Sequence, residues 1–239
     1  MYSFDSRIRY TELNENLKLP LVSIVNYFQD CSTFQSESLG KGLTYLRSNH
    51  QAWMVTEWQI DLFDEALPFE NVKISTWPYK FDMVLGYRNF TIESTDRNKV
   101  IAVGSSMWAL VDTIRHKPLR LKSEDTDGYE LSPAYEIDYL PRKVKLPDHE
   151  FISLEKQLVV EAHLDSNMHV NNGQYLSFAD NLLPDGFTYN RLRAEYKKSA
   201  LLGDYIYPKY CICDNVCYMN LCDEAGKTYA VIEFSTRNA

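Results

Sequence analysis

Apolar and polar positions along the chain fall into two helical stretches and nine strand-like runs. In "LPLVSIVNYFQDCSTFQSESLGKG", Leu21, Ile24, Val25, Phe28 and Cys31 recur at helical spacing. Pro20 suits a first helical turn, and Gly40 and Gly42 mark the stop. Runs rich in Trp, Val, Ile, Thr and Tyr predict strands at 51–63, 70–78, 84–93 and 100–113. Residues 114–150 carry Pro118, Pro133, Pro141 and Pro147 with little periodicity, which predicts a long connection. A strand at 154–163 and a second helix follow. Tyr175, Leu176, Ala179, Leu182 and Leu183 share that helix's apolar face, and the Pro-Asp-Gly at 184–186 ends it. Strand-like runs return at 190–199, 204–213, 216–222 and 228–235.

Strands after a helix thus occur twice, which points to an internal repeat. "ENLKL" at 15–19 falls opposite "SNMHV" at 166–170, pairing Asn16 with Asn167 and Lys18 with His169. "DEALP" at 64–68 similarly matches "KSALL" at 198–202. The predicted class is α+β, each unit an antiparallel sheet wrapped around a central helix. The first unit is expected over residues 1–130, a linker over 131–152 and the second unit over 153–239. Only the second copy has His after Asn, so one half carries chemistry and the other serves another purpose.

At 239 residues the chain can form one large domain or two small fused ones. Seventeen tyrosines and eleven phenylalanines favour strands and large apolar cavities over a helical bundle. The net charge of −8 argues against a general role on nucleic acid or anionic membranes, while allowing a local basic patch. No apolar run approaches the roughly 20 residues that cross a bilayer, and "MYSFDSRIRY" reads as the opening of a folded chain. A cytoplasmic location is expected. Cys211, Cys213, Cys217 and Cys222 cluster late but contain no Cys-x-x-Cys pair. A hairpin turning at Asp214-Asn215 sets Ile212 opposite Cys217 and sends Cys211 and Cys213 to the other face, so these read as small buried hydrophobes rather than zinc ligands.

The stretch "HLDSNMHVNNGQYLSF" at 163–178 concentrates the candidate chemistry. Asp165, Asn167 and His169 alternate, so an extended segment turns all three to one side. Asp165 is a candidate general base or nucleophile, Asn167 a donor to water or carbonyl, and His169 an orienting or proton-carrying group. The helix start after them offers free backbone N–H groups for an oxyanion. Asp, Asn and Gly are equally what a turn and helix cap require, and that reading stays open. A metal site of His163, Asp165 and His169 lacks neighbours to complete its shell.

"DSNMHVNNGQY" resembles the D-x-N-x-H-V-N-N-x-x-Y signature of the acyl-acyl-carrier-protein thioesterases of plants and bacteria. "WMVTEWQIDL", "VKISTWPYKF", "YRNFTI", "SSMWALVDTIRHKP" and "AEYKKSALLGD" are similar to that family's strands in order. The resemblance implies two fused hotdog units and hydrolysis of fatty acyl-carrier-protein thioesters without metal or organic cofactor. It places Asp165, Asn167 and His169 on the catalytic motif, with Asn171 and Asn172 beside the substrate and the acyl chain in the first half. One departure stands out. Where plant members read E-Y-R-R-E-C, this chain has Glu195-Tyr196-Lys197-Lys198-Ser199-Ala200. The family's second acid is Ser199 and its cysteine is Ala200, so a cysteine nucleophile is excluded there. Water activated at Asp165, with Ser199 in a supporting role, is the expected mechanism.

Phe28, Phe34, Trp53 and Trp58 are candidate walls of the acyl tunnel; each also serves as ordinary core. Carrier protein is acidic, so a basic docking patch is expected. Arg191, Arg193, Lys197 and Lys198 lie nearest the motif in sequence, with Arg115, Lys117, Arg120 and Lys122, and Arg142, Lys143 and Lys145, as further clusters. No nucleic-acid or membrane partner is expected, and a homodimer is compatible with the resemblance. An acyl-coenzyme A thioesterase and a non-catalytic acyl-binding module are the rival readings.

Overall fold

The computed structural model describes residues 1–237, and their contacts divide the chain into two compact units. The first holds Met1–Thr56 and Leu62–Asp138; the second holds Glu57–Asp61 and the chain from Tyr139 onward. Residues 131–138 therefore lie with the first unit and 139–152 with the second.

The first unit comprises β1 (Tyr2–Arg7), α1 (Leu21–Ser38), α2 (Leu43–Ser48), β2 (Gln51–Leu62) apart from Glu57–Asp61, β3 (Asn71–Phe81), β4 (Leu85–Ser94), β5 (Lys99–Asp112), β6 (Lys117–Pro118) and α3 (Ser123–Thr126). The strand order is β1-β3-β4-β5-β2, and the β1/β3, β3/β4 and β4/β5 ladders are antiparallel. Pro20 sits just outside α1 as its N-cap, and Gly40, at φ +69°, supplies the left-handed residue that stops it. The buried stripe of α1 includes Leu21, Ile24, Val25, Phe28 and Cys31. Phe28 fits against β5 because Gly104 has no side chain; a Cβ there would lie 2.7 Å from the ring.

The second unit contains β7 (Ile152–Ser153), β8 (Gln157–Leu158), α4 (Asn172–Asp180), β9 (Arg191–Tyr196), β10 (Tyr205–Cys213), β11 (Val216–Cys222) and β12 (Thr228–Ser235). Its strands run β9-β12-β11-β10, with β7 and β8 on β10. Glu57–Asp61 of β2 pairs antiparallel with β9, setting Asp61 opposite Arg191, Gln59 opposite Arg193 and Glu57 opposite Glu195. The helix α4 buries Gly173, Tyr175, Leu176 and Ala179.

Two predicted elements differ. The strand expected at 154–163 is reduced to β8 and a 3-10 turn at Glu161–His163, with β7 just before it. Its partner strand carries Pro208, which has no N–H for the ladder; the register slips by one residue between the Ser153–Lys209 and Gln157–Ile206 pairs. The helix α4 also ends at Asp180, before Leu182 and Leu183, which continue as tight turns on Ala179 and Asp180. The β10–β11 hairpin follows expectation: Asp214 and Asn215 take φ of 52° and 61°, and Ile212 faces Cys217. Among the described residues no group of three or more His, Cys, Asp or Glu could hold a metal ion, and no helix is long and apolar enough to cross a membrane.

One face of the second unit's sheet is charged yet buried. Arg191 Nε donates to Asp61 Oδ1 at 2.5 Å, and Arg193 Nη2 to Glu233 Oε2 at 2.5 Å. The segment after Tyr139 lies across this face: Leu140 N donates to Gln59 Oε1, Val144 N to Glu195 Oε2, and Pro141 O accepts from Arg193.

Candidate active site

The motif folds as a closed turn. Leu164 and Val170 form an antiparallel bridge. Inside it, Asp165 N donates to His169 O at 2.8 Å and Met168 N to Asp165 O at 3.1 Å. Met168 takes φ +63° to make the reversal. Asp165 Oδ1 accepts from Asn167 N at 2.7 Å and from His169 N at 3.3 Å. This is the local bonding that makes Asp a turn residue. Asp165 Oδ2 accepts no hydrogen bond from the described residues. The side chains of Asp165 and His169 are half-buried, and Asn167 is exposed. His169 Nδ1 is buried and has no partner among the described residues, so the imidazole keeps a polar atom in reserve.

The segment after β9 closes one side of the turn. Val170 N donates to Ala200 O at 3.1 Å, which sets His169 and Ser199 on neighbouring stretches of chain. Tyr175 Oη accepts the N–H of Ala200 at 2.7 Å, and Tyr196 Oη donates to Asn172 O at 3.0 Å. Burial holds the Tyr175 phenol well above its ordinary range, and Tyr229, Asp204 and Asp165 push the same way. Tyr175 therefore stays protonated while its oxygen anchors the backbone beside Ser199. Its place in an aliphatic stripe was the sequence signal for this role: a buried tyrosine needs a partner for its hydroxyl.

The expectation of several free backbone donors at the helix start does not hold. Between Asn167 and Gly173, the N–H groups of Asn167, Met168, His169, Val170, Asn171 and Gly173 all have acceptors. Only Asn172, the first residue of α4, keeps a backbone N–H without an acceptor among the described residues. The turn consumes the others because it is so tightly self-bonded.

Residues 1–129 match the acyl-ACP thioesterase N-terminal domain family. The chain belongs to the acyl-ACP thioesterase family. It is 22% identical over 219 residues to oleoyl-acyl carrier protein thioesterase 2, chloroplastic, of Arabidopsis thaliana, covering 83% of this chain and 59% of that protein. The chain thus spans about 59% of the length of the curated relatives it matches. Among solved structures, a putative oleoyl thioesterase from Lactobacillus plantarum superposes with a TM-score of 0.87 at 20% identity, over 99% of this chain and 97% of that one. An acyl-ACP thioesterase from Bacteroides thetaiotaomicron does so with a TM-score of 0.87 at 18% identity, over 98% and 96%. The fold is therefore that of the acyl-ACP thioesterases, and each unit is a hotdog: an antiparallel sheet around one main helix.

Within that thioesterase fold the predicted residues fall in different places. Asp165, Asn167 and His169 share the turn, with Ser199 half-buried beside it. Asn171 caps α4, its Oδ1 accepting from Gly173 N at 2.8 Å. His163 is structural: Nδ1 accepts from Val160 N at 3.2 Å and the ring stands edge-on to Phe178. Phe28 is buried in the first unit against Phe90, and Trp53 is half-buried there. Phe34 is 43% exposed against Phe4, because it lies off the buried stripe of α1. Trp58 is fully buried in the second unit. Arg191 and Arg193 do not form a docking surface, since burial in ion pairs with Asp61 and Glu233 removes them from solvent. Lys197 and Lys198 are exposed, with Lys198 Nζ 3.0 Å from Asp223.

Proposed function

We propose that this chain hydrolyses the thioester of a fatty acyl group carried on acyl carrier protein. Asp165 Oδ2 polarises a water molecule, whose oxygen attacks the carbonyl carbon. The water proton passes to the carboxylate, the C–S bond breaks, and the departing thiolate takes up the proton. The Asn167 amide and the Asn172 N–H are the donors offered to the carbonyl oxygen as it gains charge. His169 orients the carboxylate and water, with Ser199 supporting through its hydroxyl. The acyl chain is assigned to the first unit, and Lys197 and Lys198 to the acidic carrier. No cofactor enters this scheme.

One observation carries the reading. The turn needs only one carboxylate oxygen of Asp165, and the other accepts no hydrogen bond from the described residues, in a turn that carries His169 and runs into α4. The test is release of free fatty acid from matched acyl-carrier-protein and acyl-coenzyme A substrates of several chain lengths. Faster turnover of the carrier-protein series is expected. A preference for coenzyme A would reassign the donor, and acyl binding without any release would leave a binding module.

A further inference from the structure

The inner face of the first unit's sheet holds a cation that no carboxylate among the described residues neutralises. Arg88 lies on β4 two residues from Phe90, whose ring packs 5.0 Å from that of Phe28 on α1. Strand alternation turns Arg88 to the same side, and only 8% of it is exposed. Nη1 donates to Gln35 Oε1 on α1 at 2.5 Å and to Thr76 Oγ1 on β3 at 3.1 Å. The guanidinium carbon stands 5.5 Å from the centre of the Tyr129 ring. These neighbours are neutral. Burial pushes the Cys31 thiol nearby up to about 12, so it supplies no counter-charge.

Three other arginines with little solvent exposure behave differently. Arg97, Arg191 and Arg193 each meet a carboxylate, on Glu70, Asp61 and Glu233. Arg88 meets none among the described residues, and its Nε and Nη2 donate to nothing there. A buried charge is costly unless it is paired. The planar fork of a guanidinium matches a carboxylate in shape as well as charge. Arg88 is thus held in position by Gln35, Thr76 and Tyr129 with no carboxylate partner among the described residues.

We propose that Arg88 is the anion-recognition point of a ligand site inside the first unit, and that the ligand is an aliphatic chain ending in a carboxylate. The aliphatic part follows from the aromatic surroundings of Phe28, Phe90 and Tyr129. This deepens the assignment of the acyl chain to the first unit and rests on it. Two sources share the chemistry: the far carboxylate of an acyl chain still held as thioester, and the head of a free fatty acid.

Calorimetric titration of the whole chain with monomethyl suberate, dimethyl suberate and octanoate tests the site without requiring turnover. The carboxylate probes should bind roughly ten- to a hundredfold more tightly than the diester, and Arg88→Met should erase the difference. Gln35→Glu, which supplies an internal partner, should also erase it. Both variants should raise the melting temperature of the ligand-free protein. Equal affinity for mono- and diester, a preference that survives Arg88→Met, or a lowered melting temperature in both variants would overturn the proposal. Faster hydrolysis of an ω-carboxyoctanoyl thioester than of the octanoyl one, dependent on Arg88, assigns the source to the substrate. Arg88-dependent inhibition by octanoate assigns it to the free acid. Arg88-dependent binding in a protein that hydrolyses nothing would retain this site and remove the thioesterase reading.

Discussion

Residues 14–18 of the first unit and 165–169 of the second fold into the same turn. Asn14 Oδ1 accepts from Asn16 N and Lys18 N, both at 3.0 Å, as Asp165 Oδ1 does from Asn167 N and His169 N. Asn14 N donates to Lys18 O and Leu17 N to Asn14 O, repeating the bonds of Asp165 and Met168. Leu17 takes φ +57° where Met168 takes +63°, and a 3-10 turn precedes each. A neutral asparagine therefore builds the whole turn. Its geometry is no argument for chemistry. What sets the second copy apart is the charge left on the second carboxylate oxygen and the imidazole in place of an ammonium. The first copy shows a further difference: Lys18 Nζ lies 2.6 Å from Glu65 Oε1. Glu65 falls opposite Ser199 in the repeat, where the second unit has a hydroxyl in place of that carboxylate.

Exchanging residues between the two turns tests this reading. The largest effect is expected from Asp165→Asn, which gives the second turn the first turn's residue. Fatty acid release should fall by about 10²–10⁴-fold with an almost unchanged melting temperature. A variant that keeps activity would end the role of this carboxylate. His169→Lys completes the likeness and should cost roughly a hundredfold in turnover, with substrate binding measured separately and little altered. Ser199→Glu works in the opposite direction by restoring the acid that the first unit has. Turnover should rise by about tenfold, roughly 1.4 kcal/mol in the barrier; a loss of activity would mean that the serine is already the right partner. The smallest effect is common to both turns. Asn14→Ala and Asp165→Ala each remove one cap and should each lower stability by about 1 kcal/mol, or roughly 2–4 °C in melting temperature for a chain of this size. Only the second should also abolish release.

The turn and the repeat were legible because their signals are local. Asp, Asn and a positive-φ residue within five positions fix the loop, and the pairing of Asn16 with Asn167 and Lys18 with His169 matches its hydrogen bonds. The 216–222 and 228–235 strands and the reversal at Asp214-Asn215 were readable for the same reason. Failures came where a residue's partner is distant in sequence. Alternation alone cannot tell that Arg191 finds Asp61, 130 residues away, or that Arg193 finds Glu233. That the Val170 N–H just before α4 is already taken depends on its meeting Ala200 O, another distant contact. Phe34 is exposed because it lies off the face of α1 that buries Cys31 and Gln35 on either side of it in sequence.

The allocation of Glu57–Asp61 to the second unit has a consequence for cutting the gene. A fragment beginning at Tyr139 carries the motif turn, α4 and every strand from β7 to β12, yet it leaves the edge of β9 bare and Arg191 without its aspartate. Such a fragment should be insoluble or unfolded when expressed alone, and a peptide covering residues 51–62 should rescue it as an added strand.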